Sequence, residues 1–197
     1  IAPQELYSYN IGGIAGQLGE CLVQNCANSV AVDATGVTEL HSGSQVYAGG
    51  IAGYLGTGSE LFGCRNTGNV VAAVSNNVVD NNLASVSPEG SEYAYAGGVA
   101  GFIYGYSNAV TVENCTNGAK VEAINRIPGF QAYAGGIAGH VDSGDGENAG
   151  VHILNCANLN GETTVHAAGG TTMTGGILGS TTFHDFTTPN ITVKNCY

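Results

Sequence analysis

The chain has little positive charge, no tryptophan and no long apolar run. Only 4 Lys and Arg residues stand against 15 Asp and Glu residues, which gives a formal net charge of −11. Such a surface repels phosphate backbones, so nucleic acid is not an expected partner. No run of about 18 consecutive apolar residues occurs, and we therefore expect no transmembrane segment in this chain.

Helices are also unsupported, because glycine interrupts every segment and no stripe of helical spacing runs through the chain. Glycine itself is abundant, with 32 residues, while the hydrophobic fraction of 43% is ordinary. The composition therefore indicates a folded chain with a core, and not collagen or a disordered polar tract.

Two phrases recur about every 40 residues, which is the mark of a repeat protein. The phrase Gly-Gly-Ile-Ala-Gly, with one substitution in its third and fifth copies, begins at Gly12, Gly49, Gly97, Gly135 and Gly175. The second phrase is centred on Cys26, Cys64, Cys115, Cys156 and Cys196, each preceded by Asn except for Gly63. Two residues after the cysteine, every complete copy has asparagine: Asn28, Asn66, Asn117 and Asn158.

Each repeat reads as three short strands separated by a loop and an Asn or Gly turn. We therefore predict an all-β fold, a parallel β-helix of about five three-strand rungs that forms a single domain over residues 1–197. A propeller is the structural rival, but it needs four strands per repeat. Equivalent residues of stacked rungs superpose, so the Asn and Cys positions should form ladders.

The cysteines fit neither a zinc site nor disulfides. No C-x-x-C pair exists, and parallel side-chain vectors on neighbouring rungs hold Cβ atoms about 4.8 Å apart, wider than a disulfide prefers. We predict an interior ladder of reduced thiols that act as small apolar side chains.

The combination of the glycine phrase with Asn155, Cys156 and Asn158 resembles the GLUG repeat, and the resemblance covers most of the chain. GLUG repeats occur in large bacterial surface proteins, often described as adhesin-like, and in the non-catalytic part of IgA-specific metallopeptidases. The resemblance implies a right-handed β-helix outside the cell, and it carries over no catalytic residue. The fifth copy stops at Cys196 and Tyr197, so we expect the chain to be part of a longer surface protein.

Few residues suggest a metal site. Asp142, Asp145 and Glu147 lie close together on a Gly-rich loop that suits calcium, although the loop lacks the twelve-residue calcium-binding pattern, and a solvated turn is the alternative. No other cofactor is expected. The five histidines show no metal-ligand spacing and are predicted to be scattered over the surface: His41, His140, His152, His166 and His184.

An aromatic column is the candidate ligand-binding surface. Tyr47, Tyr95 and Tyr133 occupy the same position two residues before the Gly-Gly pair, with Asn10 and Met173 completing the column. An exposed ladder would pack against sugar rings or a partner protein, whereas an inward-facing ladder would be core. Two insertions, over residues 75–92 and 142–150, offer another binding surface.

We therefore predict a non-catalytic, adhesin-like binding or spacer module at the bacterial cell surface, whose partner is a surface glycan or protein. The alternative is a β-helical polysaccharide lyase or hydrolase. Such enzymes need paired carboxylates, or a carboxylate-bound calcium with a basic residue, and the basic residues here are few: Arg65, Lys120, Arg126 and Lys194.

Overall fold

The computed structural model describes residues 8–38, 45–76, 92–127, 129–159, 165–183 and 190–197. Within these ranges the chain is all-β, and its strands stack in parallel as a β-solenoid of about four turns. The predicted fold class is confirmed. No helix occurs in the described part of the chain, and hence none that is long and apolar enough to cross a membrane.

Each complete turn contains five strand segments. The first turn comprises β1 (Ser8–Gly12), β2 (Ala15–Leu18), β3 (Leu22–Gln24), β4 (Ala27–Asn28) and β5 (Val32–Thr38). The second comprises β6 (Gln45–Gly49), β7 (Ala52–Leu55), β8 (Glu60–Phe62), β9 (Arg65–Asn66) and β10 (Val70–Asn76). The third comprises β11 (Tyr93–Gly97), β12 (Ala100–Gly105), β13 (Asn108–Glu113), β14 (Thr116–Asn117) and β15 (Val121–Asn125).

The fourth turn comprises β16 (Gln131–Gly135), β17 (Ala138–Ser143), β18 (Asn148–Leu154), β19 (Ala157–Asn158) and β20 (Val165–Ala168). A partial fifth turn contributes β21 (Thr171–Gly175), β22 (Leu178–Phe183) and β23 (Ile191–Lys194). Equivalent segments pair into five parallel sheets, which we number 1 to 5 in the order in which a turn visits them. Sheet 1 thus contains β1, β6, β11, β16 and β21, and sheet 2 contains β2, β7, β12, β17 and β22.

The sequence predicted three strands per turn of the solenoid. Two bends in the backbone explain why the structure divides each turn into more strand segments than predicted. The Gly-Gly pair bends the first predicted strand into the strands of sheets 1 and 2. The residue before each cysteine ends the next strand, because it adopts a left-handed conformation with φ of 54° at Asn25, 54° at Asn114, 53° at Asn155 and 55° at Asn195. Gly63 occupies the same position with φ of 63°. Its departure from the Asn-Cys phrase follows from this geometry, because Asn and Gly are the residues that tolerate positive φ best.

The asparagine column forms a continuous amide ladder. Asn28 Nδ2 donates to Asn66 Oδ1 at 2.9 Å, Asn66 Nδ2 donates to Asn117 Oδ1 at 2.9 Å, and Asn117 Nδ2 donates to Asn158 Oδ1 at 3.0 Å. Asn66 Nδ2 also donates to the Gly68 carbonyl at 2.8 Å, and its Oδ1 accepts from the Gly68 amide at 3.2 Å. The ladder therefore satisfies both its own buried amides and the backbone of the turn that follows.

The second glycine of the first four Gly-Gly pairs lies directly against this ladder. A Cβ atom on Gly98 would lie 2.1 Å from the Gly136 carbonyl oxygen and 2.3 Å from Asn117 Cγ. Gly50 is packed in the same way, at 2.2 Å from the Gly98 oxygen and from Asn66 Cγ. Any side chain at this position would separate the turns, so the glycine and asparagine columns require each other.

The interior holds two apolar clusters. One contains Cys64, Cys115 and Cys156 among Ile, Leu and Val side chains, and the other packs sheet 1 against sheet 5. All six cysteines are free thiols, and the Cys64 amide lies 3.4 Å from Cys115 Sγ on the next turn. Cys64, Cys115 and Cys156 thus occupy one column and pack as small apolar groups, with Cys26 and Cys196 partly buried at its ends.

Replacing Gly98 by alanine tests the glycine packing. The clash with two neighbouring groups should lower the free energy of unfolding by about 3 kcal/mol or more, since the contacting atoms belong to backbone and a hydrogen-bonded amide. Gly118→Ala is the matched control, because its Cβ would meet no atom closer than 3.9 Å. Urea unfolding of both variants measures the difference, and equal stability of the two would contradict the packing described.

Candidate functional site

The outer faces of sheets 1 and 2 meet in a groove. Val46 and Ala48 point into the cluster shared with sheet 5, so Tyr47 between them points the opposite way. The Gly-Gly bend turns sheet 2 towards this face, and the Tyr54 ring lies 6.3 Å from the Tyr47 ring. The groove has a volume of about 570 Å³. Its lining consists of Ser8, Asn10, Gln17, Gln45, Tyr47, Tyr54, Tyr93, Tyr95, Phe102, Tyr104, His140, Asp142 and Thr182.

The predicted tyrosine column lies at the floor of this groove. Tyr95 stacks on Tyr47 at 5.4 Å with an interplanar angle of 8°, and on Tyr133 at 5.3 Å with 5°. The three side chains are only 5–6% exposed, yet they lie outside the two aliphatic clusters. The column therefore faces away from the aliphatic core, unlike the inward-facing ladder, and is not exposed either, because the groove walls and the neighbouring rings bury it.

The hydroxyls of Tyr47 and Tyr133 are held as hydrogen-bond donors. Tyr47 donates to Gln45 Oε1, and Tyr133 donates to Gln131 Oε1 on the equivalent strand of sheet 1. Burial raises the pKa of Tyr47 and Tyr95 far above the ordinary tyrosine value, with smaller contributions from nearby tyrosines and Asp142. The hydroxyls therefore keep their protons at any physiological pH.

A second column runs along the groove on sheet 2. It consists of Gln17, Tyr54, Phe102, His140 and Ser180. Phe102 and His140 are parallel, with ring centroids 5.4 Å apart and an interplanar angle of 2°. The His140 ring also stacks on Tyr95 at 4.8 Å, which joins the two columns into one aromatic cluster.

His140 is buried, at 6% exposure, and not on the surface as the sequence predicted. Stacking on Phe102 and Tyr95 removes it from water, and this burial lowers its pKa to about 4. Its Nε2 lies 3.4 Å from Thr182 Oγ1, while its Nδ1 has no hydrogen-bond partner among the described residues. At neutral pH the groove therefore contains an uncharged imidazole with an unsatisfied nitrogen.

The rims of the groove carry hydrogen-bonding groups and one carboxylate. Gln45 and Tyr93 line the sheet 1 side, and Tyr104, Asp142 and Thr182 stack in one column on the sheet 2 side. The lining contains no Lys or Arg residue. Of the four basic residues, Arg65 is exposed on β9, and Lys120, next to β15, pairs with Glu122 at 2.9 Å. The electrostatic character of the groove is therefore neutral to negative.

The three carboxylates suggested as calcium ligands point to different surroundings. Asp142 lies on β17 and lines the groove, whereas Asp145 and Glu147 are exposed in the turn that follows. The described residues contain no group of three or more His, Cys, Asp or Glu side chains that could hold a metal ion. The structure thus does not bring these carboxylates together.

The tyrosine column could be read from the sequence, but most of the groove could not. Tyr54, Phe102 and His140 each follow the glycine phrase directly, and this shared position is the signal that would have placed them in one column. Tyr104 and Asp142 share the position two residues later. Because the residues in each of these two columns differ in chemical type, the sequence does not reveal them as repeated positions. His41, His184 and most of the insertion over residues 75–92 lie outside the described residues.

The fold defines the chain as a parallel β-solenoid repeat protein with a lateral aromatic groove. A scan against models of protein families, a search of curated proteins and a search of solved structures each found no match to it. The function must therefore be argued from the groove itself.

The buried imidazole makes stability depend on pH in a defined window. His140 titrates near 4 in the folded chain and near 6.5 when unfolded, so between these values the unfolded chain binds more protons. Its contribution is fully present above pH 6.5 and falls by up to about 3 kcal/mol as the pH drops to 4. Urea unfolding of wild type and His140→Phe from pH 7.5 to 4 measures this as the difference between the two curves.

The exposed His166 on β20 provides the control. His166→Phe should follow the wild-type pH dependence, whereas His140→Phe should lose stability less steeply on acidification. Parallel curves for wild type and His140→Phe would show that the imidazole is not held uncharged.

Proposed function

We propose that the chain is a non-catalytic, adhesin-like binding module of a bacterial surface protein, located outside the cell, and that the aromatic groove is its binding site. The resemblance to GLUG repeats supports the bacterial and extracellular setting. The observation that carries the binding role is the groove itself. Its volume of about 570 Å³ is in the range of ligand sites, and aromatic walls with a few polar groups are their usual lining.

A spacer role alone explains the groove poorly. The residues that stack the turns are the glycines, the amide ladder and the two interior clusters, and none of these requires aromatic side chains on an outer face. Soluble proteins seldom gather such rings around an open cavity without a ligand or partner. The cluster of Tyr54, Phe102 and His140 between two sheets is therefore better explained by binding than by stability.

The same groove argues against the hydrolase alternative. Glycoside hydrolysis needs two carboxylates that flank the scissile bond, about 5–10 Å apart, and among the described residues only Asp142 contributes a carboxylate to the lining. A lyase needs a basic residue to abstract a proton, and the described lining residues include no Lys or Arg. Burial lowers the pKa of His140 to about 4, so its imidazole is a weak base for proton abstraction near neutral pH. These features favour binding without turnover.

A double variant, Gln45→Ala with Tyr104→Ala, tests the binding site. Both residues lie at the rims, in columns that also hold the smaller residues Ser8 and Thr182, so the substitutions should leave the fold intact. Wild type is screened on arrays of glycans and of extracellular matrix proteins. The double variant should bind any ligand found at least about tenfold more weakly, since it removes an aromatic ring and a hydrogen-bonding amide from the groove lining.

Phe62→Ala is the matched control, because it removes an exposed aromatic ring from β8, on sheet 3 and outside the groove. It should bind as wild type does. Absence of wild-type binding on both arrays, or undiminished binding by the double variant, would contradict a role for the groove in binding.

A further inference from the structure

The chemistry of the groove restricts the class of ligand, provided that the groove is the binding site proposed above. Four classes of ligand are possible: anionic, cationic and neutral small or oligomeric molecules, and extended peptides. Each class needs a different kind of binding surface.

Anionic ligands are disfavoured by charge. The groove lining has no cationic side chain and includes the Asp142 carboxylate, and the chain as a whole carries a formal net charge of −11. An anionic glycan or phosphate would enter this groove against both local and long-range repulsion. Sulfated, sialylated and uronic acid chains therefore do not fit.

Cationic ligands need the faces of aromatic rings, because the negative part of the ring quadrupole lies there. In this groove the faces of the central rings are already covered. Tyr95 has Tyr47 on one face and Tyr133 on the other, and Phe102 is covered by His140. The rim ring of Tyr104 lies between Phe102 and Tyr106, at 6.2 and 5.8 Å.

Since the ladder rings stack along the solenoid axis, they present their edges to the groove. Ring edges carry the positive part of the quadrupole, and they attract oxygen atoms instead of ammonium groups. The floor therefore favours a ligand rich in hydroxyl and ether oxygens.

Extended peptides need backbone partners for their own N–H and C=O groups, which a free sheet edge supplies. The central strands of the groove offer none, because they are paired on both sides. β6 pairs with β1 and β11, and β12 pairs with β7 and β17. A peptide lying in the groove would leave much of its backbone unsatisfied.

Two unsatisfied polar atoms point to hydroxyl donors. Asn10 Oδ1 in the first turn and His140 Nδ1 in the fourth turn are buried without a partner among the described residues. Both are acceptors when His140 is uncharged with its proton on Nε2, towards Thr182. Both residues line the groove and lie three turns apart, or about 14 Å along the axis, which is a distance that one extended ligand can span.

We infer that the groove binds a neutral, linear oligosaccharide that lies along the solenoid axis, and that His140 and Asn10 accept hydrogen bonds from its hydroxyl groups. Gln45 supplies complementary donors, since its carbonyl oxygen already accepts the Tyr47 hydroxyl and leaves the amide hydrogens for the ligand. The ring edges and tyrosine hydroxyls contact the sugar oxygens along the floor.

An array with matched charge states tests this inference. It carries neutral N-acetylglucosamine oligomers, their de-N-acetylated cationic counterparts, sialylated and uronic acid oligomers, and neutral glucans, mannans, galactans and xylans. Binding by wild type should be confined to neutral chains. Calorimetry with the best neutral chain should then show at least about tenfold weaker binding by His140→Phe, which keeps the stacked ring and removes the nitrogens.

Asn10→Ala should weaken the same binding by a similar factor, and it alters a partly exposed residue of the first turn, where little packing is lost. Phe62→Ala should have no effect. Undiminished affinity of both His140→Phe and Asn10→Ala would overturn the assigned acceptors.

Groove-dependent binding of a cationic chain, an anionic chain or a matrix protein would overturn the ligand class and leave the binding role intact. If the wild type binds no probe on the glycan and protein arrays, both the ligand class inferred here and the proposed binding function are contradicted.

Discussion

The structure depends on turns that stack in strict register, and the buried amide ladder of Asn28, Asn66, Asn117 and Asn158 sets that register. Each interior amide donates both to the next turn and to its own turn backbone, so a shift by one residue would leave several buried polar groups unpaired. An unsatisfied buried group costs about 1–3 kcal/mol, and the ladder contains several of them in series. The facing glycines allow the turns to approach closely enough for these bonds to form.

Register has a consequence for the outer faces of the solenoid. Residues that point away from the two aliphatic clusters are not fixed by the stacking, yet they still superpose from turn to turn. The sheet 2 column accordingly changes from Gln17 through Tyr54 and Phe102 to His140. A fold that repeats in its interior thus builds a groove whose sheet 2 side varies along its length, which is what recognition of a linear ligand requires.

The repeat made the fold readable from sequence. Because the same residue recurs in the Gly, Asn and Cys columns, spacing alone indicated parallel stacking and placed Tyr47, Tyr95 and Tyr133 in one ladder. The groove was harder to predict, since the bend at the Gly-Gly pair decides that sheets 1 and 2 face each other, and a one-dimensional pattern contains no bend angle. His140 illustrates the limit. A lone histidine after a glycine phrase looks like a surface residue until Phe102 and Tyr95 are placed on either side of it.

The central claim is that a neutral sugar chain contacts the ring edges of the aromatic floor. Saturation-transfer NMR tests this directly, because the rings of Tyr95 and Phe102 cluster in the groove and the chain has no Trp. Irradiation of the aromatic protons should transfer saturation to the ring protons of a bound neutral oligosaccharide. Transfer seen only on irradiation of aliphatic methyl protons, with none from the aromatic protons, would contradict the account.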